Sequence, residues 1–332
     1  MKKLINEPGN YVDEMLEGLV LANPELALSG QGKRVVQRSA PAGNGKVGIA
    51  TGGGSGHLPL FCGYVGEGLL DSCAVGNVFE GPNMQSCLEA ISAANAGAGV
   101  LCLYGNYGGD RMNFDMASEM AEAEGITVRT VLGIDDIASA APEEADKRRG
   151  VAGIVFAYKA AGAKAAAGGS LDEVVEITER TIARTRTIGI GLSPCLIPGA
   201  AAPSFEIGET EVEMGIGIHG EAGIWRAAHR SADELVDEML DRTLAEVPDG
   251  ADGRVAVLVN GLGATPLDEL FILYRRVSQR LTTRQIHIAV PLVGPFVTSM
   301  EMAGASISLC FVDDEILSLL RAPATCPFWR VG

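Results

Sequence analysis

Near the start of the chain, apolar side chains at Tyr11, Val12, Met15, Leu16, Leu19 and Val20 recur at the spacing of one helix face, which predicts an amphipathic helix lying over a sheet. The next apolar run, residues 47–50, is short and unbroken, as a buried strand would be. Helix-like and strand-like stretches then alternate through residues 61–70, 73–78, 85–94 and 99–104. A helix follows over 110–124, stopped by Gly125, and a strand over 126–132. Such alternation argues for an α/β layer with a largely parallel sheet.

Residues 138–144 read as a loop, and 150–167 and 171–186 as two long helices, the first rich in alanine and glycine. The texture then changes: a strand at 188–192 leads into a segment punctuated by Pro194, Pro198 and Pro203, and then into an alternating strand over 205–214. On that strand Glu209, Glu211 and Glu213 share one face by period-two geometry and read as a solvated acidic stripe. Helices over 232–244, 267–281 and 313–320, the last capped by Asp313, alternate with strands over 255–259, 286–291 and 306–312. The reading is α/β throughout: two α/β domains, residues 1–187 and 188–332, each a mostly parallel or mixed sheet flanked by helices.

Composition narrows the function. The 332 residues, 47% of them apolar, suffice for a large core and for two domains. A formal charge of −16, from 26 basic and 42 acidic residues, repels phosphate backbones and anionic lipid, so neither nucleic acid nor membrane is an expected partner. Seven cysteines without a CxxC pair read as buried reduced thiols, and no apolar run reaches the roughly 20 residues of a spanning helix; a cytoplasmic protein is expected.

Three stretches carry candidate chemistry: GGGSGHLP at 52–59, NYGGDRMNF at 106–114 and MGIGIHGEAG at 214–223. The first two follow strand-like runs, and ligand sites in open α/β sheets lie beyond the carboxyl ends of strands, so His57, Asp110 and His219 are placed to converge there. The glycine loop lacks the lysine of a phosphate-binding P-loop and the pattern of a dinucleotide fingerprint. It suits a backbone, notably Gly54 with Ser55 beside it, that touches a small polar substrate. Asp110 falls at a helix start, where a carboxylate serves as an N-cap and also as a base. His229 and His287 carry no motif and are assigned to surface or packing. No metal-ligand spacing, nucleophile elbow or kinase-type catalytic loop occurs, so no metal site is expected.

Taken with RRGVAG at 148–153 and SPC at 193–195, these motifs stand in an order that resembles the substrate-binding K subunit of the dihydroxyacetone kinases, over nearly the whole chain. The resemblance implies a dimeric subunit of glycerol metabolism that holds dihydroxyacetone or a related short ketose as a hemiaminal on His219. In that picture Asp110 deprotonates the hydroxyl that receives phosphate, His57 hydrogen-bonds the bound substrate, and Gly54 donates from its backbone. It further implies that this chain binds no cofactor of its own. A separate L subunit would hold ATP or ADP with Mg²⁺, and a phosphotransferase-system M subunit would recharge the nucleotide in one variant of the scheme. Two positions depart from the family pattern: Leu58 stands where a glutamate is usual, and Gly105 where a lysine commonly precedes the NYxGD motif. They open the choice of ketose, erythrulose included, and leave a non-catalytic ketose-sensing regulator as the alternative reading. A dinucleotide-binding oxidoreductase would need a nicotinamide fingerprint, which the sequence lacks.

Overall fold

The computed structural model describes residues 2–40 and 43–332. Helix α1 (Tyr11–Ala22) buries Val12, Leu16 and Leu19, the predicted stripe. Strands β1 (Leu26–Ser29), β2 (Val35–Arg38), β3 (Gly48–Ser55), β4 (Ser72–Val78), helix α2 (Met84–Ala94), β5 (Val100–Gly105), α3 (Gly108–Ala123) and β6 (Val128–Gly133) follow. They build a six-stranded sheet in the order β1-β2-β4-β3-β5-β6, with β4, β3, β5 and β6 parallel and β1 and β2 antiparallel at one edge.

Helices α4 (Ile154–Ala166) and α5 (Leu171–Ala183) cover this layer, α5 opening on a capping box between Ser170 and Glu173. The remaining elements are β7 (Thr185–Ser193), β8 (Glu211–Met214), β9 (Trp225–Ala228), α6 (Ala232–Leu244), β10 (Arg254–Gly261), α7 (Leu267–Thr283), β11 (His287–Gly294), β12 (Ala303–Phe311), α8 (Asp314–Arg321), β13 (Ala324–Cys326) and β14 (Trp329–Val331). The second sheet runs β11-β10-β12-β7-β8-β9 and is antiparallel except at β10–β11. The architecture is therefore α/β, with two helix-flanked mixed sheets. Asp313 caps α8 by accepting from the Ile316 amide at 2.8 Å, and Ile316, Leu319 and Leu320 of that helix join the core formed with α4. Among the described residues no helix is long and apolar enough to cross a membrane.

Several local expectations are corrected. Residues 61–70 form no α-helix, only a single 3₁₀ turn at Cys62–Tyr64. Their glycines press against the C-terminal hairpin: a Cβ on Gly66 would strike the Thr325 carbonyl, and one on Gly63 would lie 2.7 Å from the Phe328 ring. The second long helix ends at Ala183, so Thr185 and Arg186 already belong to β7. The strand expected over 205–214 is confined to Glu211–Met214, with Glu209 in the preceding turn. Nor is there a solvated acidic stripe, because Glu213 is 5% exposed and accepts from Arg226 Nη2 at 2.6 Å and from the Gly223 amide at 2.7 Å. Period-two geometry put Glu213 on a face; the neighbouring strand β9 then covered it.

Candidate functional site

The parallel strands β3, β5 and β6 end side by side, and the sequence following each end carries polar side chains: His57 after β3, Tyr107 and Asp110 after β5, Asp135 and Asp136 after β6. The glycine run is the end of β3 rather than a loop beyond it, since the strand continues through Ser55. Each glycine there is required by a neighbour. A Cβ on Gly52 would lie 2.9 Å from the Phe114 ring, one on Gly53 would sit inside the Phe61 ring, and one on Gly54 would lie 2.8 Å from the Glu80 amide. The triplet thus lets three phenylalanine-bearing segments close onto one strand. Ser55 turns its hydroxyl to the Gly76 carbonyl, 3.0 Å away on β4.

His57 is fully buried. Its Nδ1 lies 2.8 Å from the Thr298 carbonyl oxygen, an acceptor, so the proton sits on Nδ1 and Nε2 keeps a lone pair. That Nε2 is buried without a hydrogen-bond partner. Burial, helped by the nearby His219, pushes the His57 pKa down to about 3, so the ring is a neutral acceptor at physiological pH. Phe79 stacks on it at 4.9 Å between ring centroids, from a backbone with φ of 60°. A phenylalanine held in the left-handed region marks a place where the surroundings over-determine the backbone.

Asp110 lies in the first turn of α3, which starts at Gly108 with Tyr107 as its N-cap residue, so the expected capping role does not hold. Its side chain is instead buried, 9% exposed, with Oδ1 unpartnered and near enough to His219 to feel its charge. Burial raises its pKa from 3.8 to about 6, against the pull of His219. A carboxyl poised there exchanges a proton readily near neutral pH.

His219 enters from the second sheet, on the loop after β8. Its ring stands edge-on to three others: His57 at 4.8 Å, Tyr107 at 4.8 Å and Phe79 at 5.3 Å. Glu221 holds it twice, accepting from Nδ1 and from the backbone amide, each at 2.9 Å. A carboxylate only accepts, so Nδ1 carries a proton and the lone pair of the neutral ring lies on Nε2. Burial opposes ionisation of Glu221, but its hydrogen bond from His219 and the charges of His219 and Arg149 hold its pKa down at about 2. Arg149 in turn grips Asp136, Nε at 2.9 Å and Nη2 at 2.8 Å from Oδ2.

The motifs interlock around this centre. Asn106 donates to the carbonyls of Asp146 (3.0 Å) and Arg148 (2.8 Å), and Tyr107 donates to Gly150 (3.1 Å), so the NYGGD segment clamps RRGVAG. Buried Asp135 receives the amides of Val151 and Gly153 at 2.9 and 2.7 Å, while Arg148 pairs with both oxygens of Glu246. Gly105 ends β5 beneath Tyr107, where a Cβ would lie 3.0 Å from the Tyr107 ring. Leu58 sits half-buried beside Thr298 and Met300, lining an open pocket of about 510 Å³ that the N-terminal segment borders. His229 and His287 are exposed. Among the described residues no group of three or more His, Cys, Asp or Glu side chains is arranged to hold a metal ion.

His57, Asp110 and His219 therefore come together across more than 160 residues of sequence. Sequence reasoning passed over Tyr107, Phe79, Arg149, Glu221 and Thr298. Glu221 had a signal, a carboxylate two residues from the histidine in one glycine loop; Thr298, brought in by β11, had none.

Comparison with known proteins gives this arrangement a context. Residues 17–328 match the Dak1 domain family. The chain is 43% identical, over the full length of both proteins, to the dihydroxyacetone-binding subunit DhaK of PTS-dependent dihydroxyacetone kinase 2 from Listeria innocua. It is 42% identical to the L-erythrulose kinase of Pectobacterium atrosepticum, all of this chain matching 57% of that longer protein. Among solved structures, a dihydroxyacetone kinase operon co-activator superposes with a TM-score of 0.90 at 33% identity, over 98% of this chain and 99% of the co-activator.

Proposed function

Since the chain belongs to the dihydroxyacetone kinase family through its Dak1 domain, we propose that it is the ketose-binding subunit of such a kinase. His219 Nε2 adds to the carbonyl carbon of dihydroxyacetone or a related short ketose; a C–N bond forms and the carbonyl π pair passes to oxygen, which takes a proton from solvent water. Glu221 stabilises the positive charge left on the ring through the Nδ1 proton. His57 Nε2 accepts a hydrogen bond from the bound ketose, and Asp110 takes the proton of the hydroxyl that is phosphorylated. A covalent hold of this kind selects ketoses over glycerol, which has no carbonyl. ATP, or ADP recharged by a phosphotransferase-system M subunit, supplies the phosphoryl group with Mg²⁺ on a separate L subunit. This chain's contribution is to position the acceptor. It works as a cytoplasmic homodimer.

The observation that carries the reading is the convergence of a lone pair on His219 with two buried, unpartnered acceptors, His57 Nε2 and Asp110 Oδ1. Likeness to the operon co-activator favours a second reading, a ketose sensor without catalysis. A sensor needs His219 but has no use for the base, and Asp110 is retained in a costly buried position. Reconstitution with a purified L subunit tests the choice. Ketose phosphorylation is expected only when both chains are present, and Asp110→Asn should bind ketose yet lose roughly 10²-fold or more in turnover. Ketose binding with no turnover in the reconstituted pair would favour the sensor.

A further inference from the structure

Of the two arginines of the RRGVAG segment, neither used by the proposed reaction, Arg149 is the one that reaches the His219 loop. Arg149 Nη1 lies 3.8 Å from Glu221 Oε2, while its other nitrogens hold Asp136. The approach depends on Gly217: a Cβ there would lie 2.7 Å from Arg149 Nη1 and would overlap Glu221 Oε2. A glycine is thus kept open between the guanidinium and the carboxylate. Arg149 Nη2 also reaches the Gly215 carbonyl at 3.4 Å, joining the first sheet's loop to the base of the His219 loop.

We infer that Arg149 is a positioning residue for His219. Its guanidinium, divided between Asp136 and Glu221, offsets part of the Glu221 charge that the His219 ring meets, and so favours the form with a proton on Nδ1 and a lone pair on Nε2. Glu221 alone would orient the ring but would also favour its protonation, and an imidazolium has no lone pair to add to a carbonyl. The inference rests on the reading of His219 as the nucleophile. The titratable and charged groups facing the ring are His57 from the β3 end, Tyr107 and Asp110 from the start of α3, and Glu221 with Arg149 and Asp136 behind it. Of these Asp136 works against Arg149: it draws the guanidinium away from Glu221, and its own carboxyl is raised to about 6 by burial, opposed by Arg149.

The test is a ring-carbon NMR titration of labelled histidine in the full chain without ketose, the His219 signal assigned by its loss in His219→Gln. Removing a positive charge one residue away from the ring, in a half-buried setting, should move the His219 midpoint upward by about one pH unit in Arg149→Met. Asp136→Asn should move it downward, because Arg149 then acts on Glu221 undivided. Arg149→Lys, which keeps the charge, should stay nearer the wild type. A loosened loop would shift both charge-changing variants the same way, so midpoints that move together, or stay put in both, overturn the inference. The pH dependence of adduct formation with dihydroxyacetone is recorded on the same proteins. Opposite midpoint shifts without any adduct in the wild type would uphold the charge balance and strike only the ketose reading.

Discussion

Replacing Asp110 by asparagine should make the protein more stable while disabling it. The carboxyl is 9% exposed, its Oδ1 has no partner, and its pKa is raised from 3.8 to about 6. A carboxyl whose folded pKa lies above its unfolded one destabilises the fold once both forms are ionised. The deficit is therefore full above pH 6 and fades as pH falls toward 4. Two units at roughly 1.4 kcal/mol each set the deficit at about 3 kcal/mol. Asparagine keeps the shape but leaves polar atoms to satisfy, so a gain of about 1–3 kcal/mol is expected at pH 8. Urea unfolding of wild type and Asp110→Asn at pH 8 and pH 4.5 measures it. The variant's midpoint should be higher at pH 8, and the two curves should nearly merge at pH 4.5. A variant less stable at pH 8, or a gain that is independent of pH, would refute the view of Asp110 as an uncompensated buried charge held for catalysis.

Two substitutions probe the walls of the site. In Gly53→Ala the new methyl falls within the Phe61 ring, which packs edge-on to His57 at 6.3 Å; a loss of about 1–3 kcal/mol or more is expected in thermal unfolding, and an unchanged midpoint would mean the ring has room to move. Gly105→Lys sets a Cβ 3.0 Å from the Tyr107 ring, which lines His219. The kcat/KM ratio of dihydroxyacetone to erythrulose, measured with the L subunit, should shift about tenfold toward the smaller ketose, and an unchanged ratio would remove Gly105 from substrate choice.

Much of the site was legible because its chemistry sits in short contiguous motifs at strand ends. His57, Asp110 and His219 were singled out because those motifs together resemble a known family, each alone reading as a turn or cap residue, and the alternation of segments gave the α/β class. What stayed hidden depends on contacts between distant segments. GGGS looked like a loop because a glycine run does not say what presses on it; the rings at Phe114 and Phe61 and the turn at Phe79, which pack against it as a strand, lie 8 to 62 positions away in sequence. Glu213 read as solvated because its covering strand β9 is four residues long and has no strong pattern. The antiparallel character of the second sheet was also hidden, since β12 enters between β10 and β7 and reverses the local direction on both sides. Arg149 showed only as one of two adjacent arginines, and nothing local told the one that secures Glu246 from the one that reaches Glu221.

The measurement that bears most directly on the whole account is carbon-13 NMR of the purified chain with dihydroxyacetone labelled at its carbonyl carbon. If Glu221 sets the His219 lone pair as the geometry indicates, the bound carbon should leave the ketone region for that of a tetrahedral carbon bonded to nitrogen. The signal should be absent in His219→Ala and persist in Asp110→Asn. A bound ketose that keeps its carbonyl resonance, or an adduct that survives in His219→Ala, would contradict it.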